Sequence, residues 1–161
     1  MRGGGWLEGV LSTYIRKDGL DATSKLVDMV KGSKHYGQIR VAMLSGVTMG
    51  GFNVVDMEEL YRYTGIPVIS VIRRPPDMDS IRRALENLSE PGQRLEAMLR
   101  AGDAIELSSR RGKPVYVQYK GLDADSVLSI VRSSSLHSRL PEPLRVAHLI
   151  ATGIILGDSR P

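Results

Sequence analysis

Residues 38–74 constrain the fold more than any other part of the sequence, because two apolar runs enclose a glycine-rich loop and a helical pattern. The apolar runs cover 39–44 and 68–72, and the polar loop covers 45–53. After the loop, apolar positions recur every three to four residues, which is the spacing of one helix face, at Val54, Met57, Leu60 and Thr64. This order predicts a parallel strand–helix–strand unit with a right-handed crossover. Ligands gather outside the carboxyl ends of such strands, so we expect a site at the loop and at Arg73–Arg74.

The loop is a candidate anion site. Gly46, Gly50 and Gly51 permit positive φ angles or close approach of the backbone to a ligand. Asn53 is a candidate N-cap of the following helix, whose first amides would face the loop. Phosphate binding and a simple tight turn are both compatible with this loose glycine pattern. The sequence has neither the Gly-Lys-Ser/Thr of a P-loop nor a G-x-G-x-x-G fingerprint, which excludes those two nucleotide-binding motifs.

Composition sets broad limits on function. The 161 residues correspond to one domain, and the absence of cysteine excludes disulfides and thiolate chemistry. No apolar run reaches the roughly 18 residues of a membrane span, so we predict a soluble, cytoplasmic protein without a membrane partner. A net charge of +4 favours an anionic partner. Arginine outnumbers lysine and asparagine is scarce, which fits a heat-adapted source or a biased genome.

Further elements are predicted on both sides of the central unit. The MRGGG start is typical of a hairpin turn and predicts a strand from Trp6 to Lys17. Asp21 is a candidate N-cap of a helix that ends near Lys34. Strands at 104–107 and 115–119 would form a hairpin, whose basic tip either contacts phosphates or is simply solvated, at Arg110, Arg111 and Lys113.

The last helix, PEPLRVAHLIATGIILG, is apolar nearly all round, so we expect it to be buried. Four polar residues interrupt it on one side, at Glu142, Arg145, His148 and Thr152. Buried charges need partners or a site. The pattern fits a functional cluster and a core histidine beside an Arg145–Glu142 pair equally well.

Four blocks in order, SGVTMGGFNVVD, GIPVISVIRRPPD, VYVQYKGL and PEPLRVAHLIATG, resemble an uncharacterised, largely archaeal family related to endonuclease V over nearly the whole chain. The resemblance implies one α/β domain over 1–161 with a ribonuclease H-like mixed sheet. In that fold an antiparallel three-stranded meander is followed by parallel strands, and helices cover both faces. Relatives of endonuclease V cut nucleic acid near a deaminated base and use carboxylates and a divalent metal, Mg²⁺ or Mn²⁺.

The resemblance also implies site residues. Ser45 stands where the nuclease family has an aspartate, and a neutral hydroxyl is a weak ligand for a hard metal. Asp21, rather than Asp18, would be a second acidic residue and metal ligand, and His148 matches a family pattern that includes Pro141 or Pro143, Arg145 and Ala147. The expected catalytic residues are therefore His148, Asp21 and Ser45. The expected phosphate-binding residues are Gly46, Gly50, Gly51, Asn53, Arg73, Arg74 and Arg145.

The family's first strand, which carries a third aspartate, has no counterpart in the sequence. We therefore expect Met1 to be an internal methionine of a longer protein, or otherwise a paired or domain-swapped homodimer. Three functions remain open: a metal-dependent endonuclease, a catalytically inert nucleic-acid-binding module, and a nucleotide-binding protein. The site that the resemblance implies requires residues 45–53, Asp21 and His148 to converge on one cleft.

Overall fold

The computed structural model describes residues 1–108 and 113–159. Over these residues the helices are α1 Ala22–Lys31, α2 Met57–Thr64, α3 Met78–Leu85, α4 Pro91–Arg100, α5 Ala124–Ser134 and α6 Glu142–Leu156, with a single 3-10 turn at Tyr36–Gln38. The strands are β1 Ala42–Leu44, β2 Thr48–Met49, β3 Asn53–Val54, β4 Val68–Ile72, β5 Ile105–Leu107 and β6 Val115–Lys120. The predicted basic hairpin tip at Arg110 and Arg111 lies outside the described residues.

The main sheet is mixed and has the strand order β1-β4-β6-β5. β1 and β4 run parallel, with Ala42 opposite Val68 and Leu44 opposite Ser70. β6 is antiparallel to both β4 and β5. The predicted parallel unit is therefore confirmed, with α2 as its crossover helix, and the predicted hairpin of β5 and β6 forms the other half of the sheet.

Helices cover both faces of this sheet. Alternate residues of β4 point to opposite faces and are therefore buried on both sides. Ile69 and Val71 pack on one face with residues of β6, α5 and α6. Val68 packs on the other face in a second cluster, with residues of α1 and α2. The continuous apolar run that predicted β4 is thus the pattern of a strand buried on both sides.

α2 begins at a different cap from the one predicted. Asp56, not Asn53, is the N-cap, and its side chain accepts hydrogen bonds from the amides of Glu58 and Glu59 at 3.0 and 3.1 Å. Asn53 lies three residues earlier in β3 and is fully buried. A carboxylate at the start of a helix also interacts favourably with the helix dipole, which favours Asp56. Asp123 is the N-cap of α5, and its side chain accepts a hydrogen bond from the amide of Ser126.

Residues 45–53 form a small hairpin rather than an open loop. β2 pairs antiparallel with β3, Thr48 opposite Val54. The turn between them contains Gly50 and Gly51, both with positive φ, at 53° and 86°. Positive φ at both positions fits glycine in a tight turn, which is one of the two interpretations that their spacing allowed.

Two predictions about the ends of the chain are wrong. Residues 7–16 are not a strand: the glycine turn closes with a single bridge between Arg2 and Trp6, and the segment beyond it has no strand partner among the described residues. α6 is not buried all round, since Ile154, Ile155 and Leu156 are 67 to 74% exposed.

No helix in 1–108 or 113–159 is long and apolar enough to cross a membrane.

Candidate functional site

A cleft of about 460 Å³ opens at the carboxyl ends of β1 and β4. Ser45 directly follows β1 and Arg73 directly follows β4, and both strands end at the same edge because they are parallel neighbours. α6 and the segment before it form the opposite wall. The lining side chains are Ser45, Val71, Ile72, Arg73, Ser138, Leu140, Leu144, Arg145, His148 and Leu149.

The polar part of the cleft is cationic. Arg73 comes from the end of β4, whereas Arg145 and His148 are three residues apart on α6 and so project from one side of the helix. The described residues that line the cleft include no carboxylate. Two guanidinium groups, an imidazole and the hydroxyl of Ser45 therefore face a cavity with apolar walls, an arrangement suited to an anion attached to an apolar group.

Arg145 is held by Glu142 from the first turn of α6. Its Nε and Nη2 atoms donate to Oε2 of Glu142 at 2.9 and 2.7 Å. Only 3% of the Glu142 side chain is exposed, against 32% of Arg145. The hydrogen bonds from Arg145 are the main cause that keeps the pKa of Glu142 below its usual range, and burial opposes them.

A second polar cluster lies at the β2–β3 hairpin, next to the start of α1. Asn53 donates to Oδ1 of Asp21 at 2.6 Å and to the carbonyl of Arg16 at 2.9 Å. Its own Oδ1 accepts from the amide of Ala22 at 2.9 Å. The hydrogen bond from Asn53 is the main cause that lowers the pKa of Asp21. Asp21 stands at the N-cap position of α1, but its side chain caps no amide of that helix, and Asn53 does so instead.

Arg94 of α4 joins this cluster to the hairpin. It is 1% exposed and donates to the carbonyl oxygens of Asp18 at 2.7 Å, Gly19 at 2.8 Å and Ser89 at 2.7 Å, and also to that of Phe52. Sequence reasoning missed Arg94, because an arginine on an amphipathic helix carries no sign that it is buried. Its carbonyl partners come from segments far apart in the chain, so its role here is to fix the loop before α1 against the hairpin.

The structure separates the predicted site residues into two groups. Four of them line the cleft: Ser45, Arg73, Arg145 and His148. Gly46 borders it, since a Cβ there would lie 3.4 Å from Cγ2 of Ile72. The other group belongs to the hairpin and its neighbours and lines no part of the cleft: Gly50, Gly51, Asn53 and Asp21. Arg74 is exposed beyond the cleft residues.

The donor set of the cleft does not fit Mg²⁺ or Mn²⁺. These cations favour several oxygen ligands, usually with carboxylates among them. Within the described ranges, no group of three His, Cys, Asp or Glu residues could hold a metal ion. Asp21, the predicted ligand, lies outside the cleft and is bonded to Asn53. No chemical step is therefore assigned to a metal at these residues.

Comparison with known proteins identifies similar sequences along the whole chain. A family model described as Endonuclease dU matches residues 1–155. A UPF0215 protein of Methanosarcina mazei is 53% identical over 160 residues, which are 99% of this chain and 82% of that protein. A UPF0215 protein of Methanothermobacter thermautotrophicus is 51% identical over 99% of this chain and 78% of that protein. These matches confirm the predicted family resemblance.

Several solved structures have a similar fold. A protein of unknown function from Archaeoglobus fulgidus has a TM-score of 0.87 and 43% identity, over 94% of this chain and 85% of that chain. Human ENDOV has a TM-score of 0.53 and 17% identity, over 91% of this chain and 68% of that chain. At this low identity the second similarity concerns the fold alone. Together with the mixed sheet and its helices on both faces, it confirms the ribonuclease H-like fold.

Proposed function

Because the chain belongs to the Endonuclease dU family, we propose that it acts on nucleic acid and holds a backbone phosphate in the cleft at the ends of β1 and β4. The observation that carries this proposal is the convergence of Arg73, Arg145 and His148 on one cleft, from elements far apart in sequence. Phosphate contacts of this kind supply most of the affinity of proteins for nucleic acid.

Each of the three side chains has a distinct part in binding. A guanidinium offers a planar fork of donors that matches two phosphate oxygens. Arg73 is exposed and free to follow the backbone of the nucleic acid, whereas Arg145 is oriented by Glu142 and has its Nη1 group outside that pair. His148 is exposed at the same cleft and is able to donate a hydrogen bond or exchange a proton.

Phosphodiester hydrolysis is the second function that we propose, and the family match favours it. Hydrolysis needs a group that protonates the leaving oxygen or takes a proton from water, and His148 is the side chain of the cleft with that chemistry. Mg²⁺ or Mn²⁺, which the resemblance to endonuclease V implies, would need ligands beyond the described cleft. A binding module without activity therefore remains an explicit outcome of the test.

The binding test uses fluorescent single-stranded DNA that contains deoxyuridine, inosine or neither, and the corresponding RNA. Anisotropy is measured over a range of salt concentrations for Arg73→Met, Arg145→Met and Arg62→Met. Loss of one phosphate contact should lower the slope of log K against log salt by about 0.7. Arg62 is 61% exposed on α2 and does not line the cleft, so its replacement removes the same charge without the contact. Equal effects of all three variants would refute the cleft as the phosphate site.

The cleavage test uses the same oligonucleotides with Mg²⁺, Mn²⁺ or a chelator, and includes His148→Ala. Cutting that His148→Ala abolishes would support hydrolysis at the cleft. Binding without cutting would select the inert nucleic-acid-binding module. Saturable binding of mononucleotides in preference to oligonucleotides would instead select the nucleotide-binding alternative.

A further inference from the structure

We propose that Glu142 is a positioning residue, which sets the guanidinium of Arg145 at the cleft. The proposal rests on the proposed function, because it assigns Arg145 a phosphate contact. Glu142 itself does not line the cleft and would not touch the nucleic acid.

The geometry of Glu142 supports this role, because both of its carboxylate oxygens are bonded. Oε2 accepts two N–H groups of Arg145, at 2.9 and 2.7 Å. Oε1 accepts the backbone amide of His137 at 3.2 Å, and Nδ1 of the same histidine lies 3.3 Å from Oε2. A buried carboxylate thus connects α6 to the segment before it, from which Ser138 and Leu140 reach the cleft.

Two physical effects of Glu142 on phosphate binding have opposite signs. Its negative charge beside Arg145 weakens the attraction of an anion. Its hydrogen bonds hold a long side chain that would otherwise lose rotamer freedom when the ligand binds. Simple charge removal therefore predicts that Glu142→Gln binds nucleic acid more tightly, whereas a positioning role predicts weaker binding. Ordering one flexible side chain corresponds to an about 2- to 10-fold change in affinity.

The first measurement does not depend on nucleic acid. In ¹H–¹⁵N spectra, the Nε–Hε signal of Arg145 is assigned by its loss in Arg145→Lys. In the wild type this signal should be shifted from those of solvent-exposed arginines and exchange slowly. In Glu142→Gln it should move towards them and exchange faster. An unchanged signal would overturn the proposal, even if the protein binds nucleic acid.

The second measurement is anisotropy with a fluorescent oligothymidylate at fixed salt, with circular dichroism as a control for folding. Glu142→Gln should bind about 2- to 10-fold more weakly. In the Arg145→Met background the same change should not weaken binding, because the positioning effect acts through Arg145 and only the removal of a negative charge remains. Tighter binding of the single variant, or an equal loss in both backgrounds, would overturn the proposal.

The two measurements separate the possible failures. If the wild type does not bind the oligonucleotide, the proposed function fails, while the spectra still decide whether Glu142 fixes Arg145. If Glu142→Gln does not fold, Glu142→Asp carries the same test, because it keeps the charge and shortens the reach to Arg145.

Discussion

Replacement of Gly51 by alanine tests whether the hairpin glycines are required by packing. Gly51 has a φ of +86°, and a Cβ there would lie 2.1 Å from Oδ1 of Asp18. That oxygen accepts the amide of Phe52 at 2.8 Å. The backbone of Asp18 is held on both sides, since its amide donates to the carbonyl of Gly50 and its carbonyl accepts from Arg94. The side chain of Asp18 must therefore move and leave the Phe52 amide.

The expected loss of stability has two parts. A non-glycine residue in the left-handed region costs about 1–2 kcal/mol. Loss of a hydrogen bond to a charged group costs about 1.5–3 kcal/mol. We therefore expect Gly51→Ala to lower the free energy of unfolding by about 3 kcal/mol, at the upper end of what most single substitutions cost. For a chain of this size that corresponds to a fall in Tm of roughly 6–12 °C.

The assay is urea unfolding followed by far-UV circular dichroism, because the single tryptophan, Trp6, is 77% exposed and reports poorly on unfolding. Gly37→Ala is the matched control: it has no atom within 4 Å of an added Cβ and no positive φ, so its effect should stay below about 1 kcal/mol. In an Asp18→Gly background, Gly51→Ala should lose less stability than in the wild type, because the clash is gone. Equal losses at positions 37 and 51 would refute the reasoning.

The same variant separates the two interpretations of the hairpin glycines. If Gly51 has a packing role, Gly51→Ala should bind oligonucleotides as the wild type does at temperatures where both are folded. A large loss of affinity in the folded variant would instead restore Gly51 as the phosphate-binding residue that its sequence position suggested.

Three further predictions concern other regions. Asp56→Ala should destabilise the protein by about 1–3 kcal/mol in urea unfolding, because Asp56 caps α2 and pairs with Arg100 at 2.6 Å, while Arg100 is 38% exposed and keeps its pair with Glu96. A loss below about 0.5 kcal/mol would contradict this. Arg145 lowers the pKa of Glu142, so the pair should contribute fully to the free energy of unfolding above the ordinary glutamate pKa and lose that contribution as pH falls through the lowered value. Glu142→Gln should therefore make the free energy of unfolding depend less on pH on the acid side. An unchanged acid side would contradict this prediction. If a homodimer covers the N-terminal segment, the fluorescence of the exposed Trp6 should shift to the blue as the protein concentration rises. An unchanged spectrum at concentrations where light scattering detects a dimer would place the interface elsewhere.

The parallel core could be predicted from sequence because its signals are local. β4 is a continuous apolar run that is buried on both faces, and its predicted bounds, 68–72, are those observed. The cap of α5 at Asp123 is also local, since its side chain accepts the amide of Ser126 three residues later. Signals of this kind need no knowledge of the rest of the chain.

Asn53 shows where local reasoning fails. Its position before a helical pattern suggested a cap, but its side chain is bonded to Arg16, Asp21 and Ala22, which lie more than thirty residues earlier in the chain. The hydrogen-bond partners of this buried side-chain amide lie in other segments of the chain. The spacing of residues within 45–57 therefore cannot identify those partners. The burial of Arg94 against distant carbonyl groups is missed for the same reason.

α6 shows both limits in one element. Its apolar composition predicted complete burial. Whether a helix face is buried, however, depends on the neighbouring elements that the fold places against it, and Ile154 and Ile155 are exposed. Its polar side posed a choice between a structural ion pair and a functional cluster. The structure shows that the choice is not exclusive: Arg145 is paired with Glu142 and also lines the cleft with His148. The carboxylate of this ion pair is buried, whereas the guanidinium is partly exposed. The pair therefore fixes the positive charge of Arg145 and still presents it to a ligand. An ion pair of this kind gives no reason to discard a binding site at the arginine.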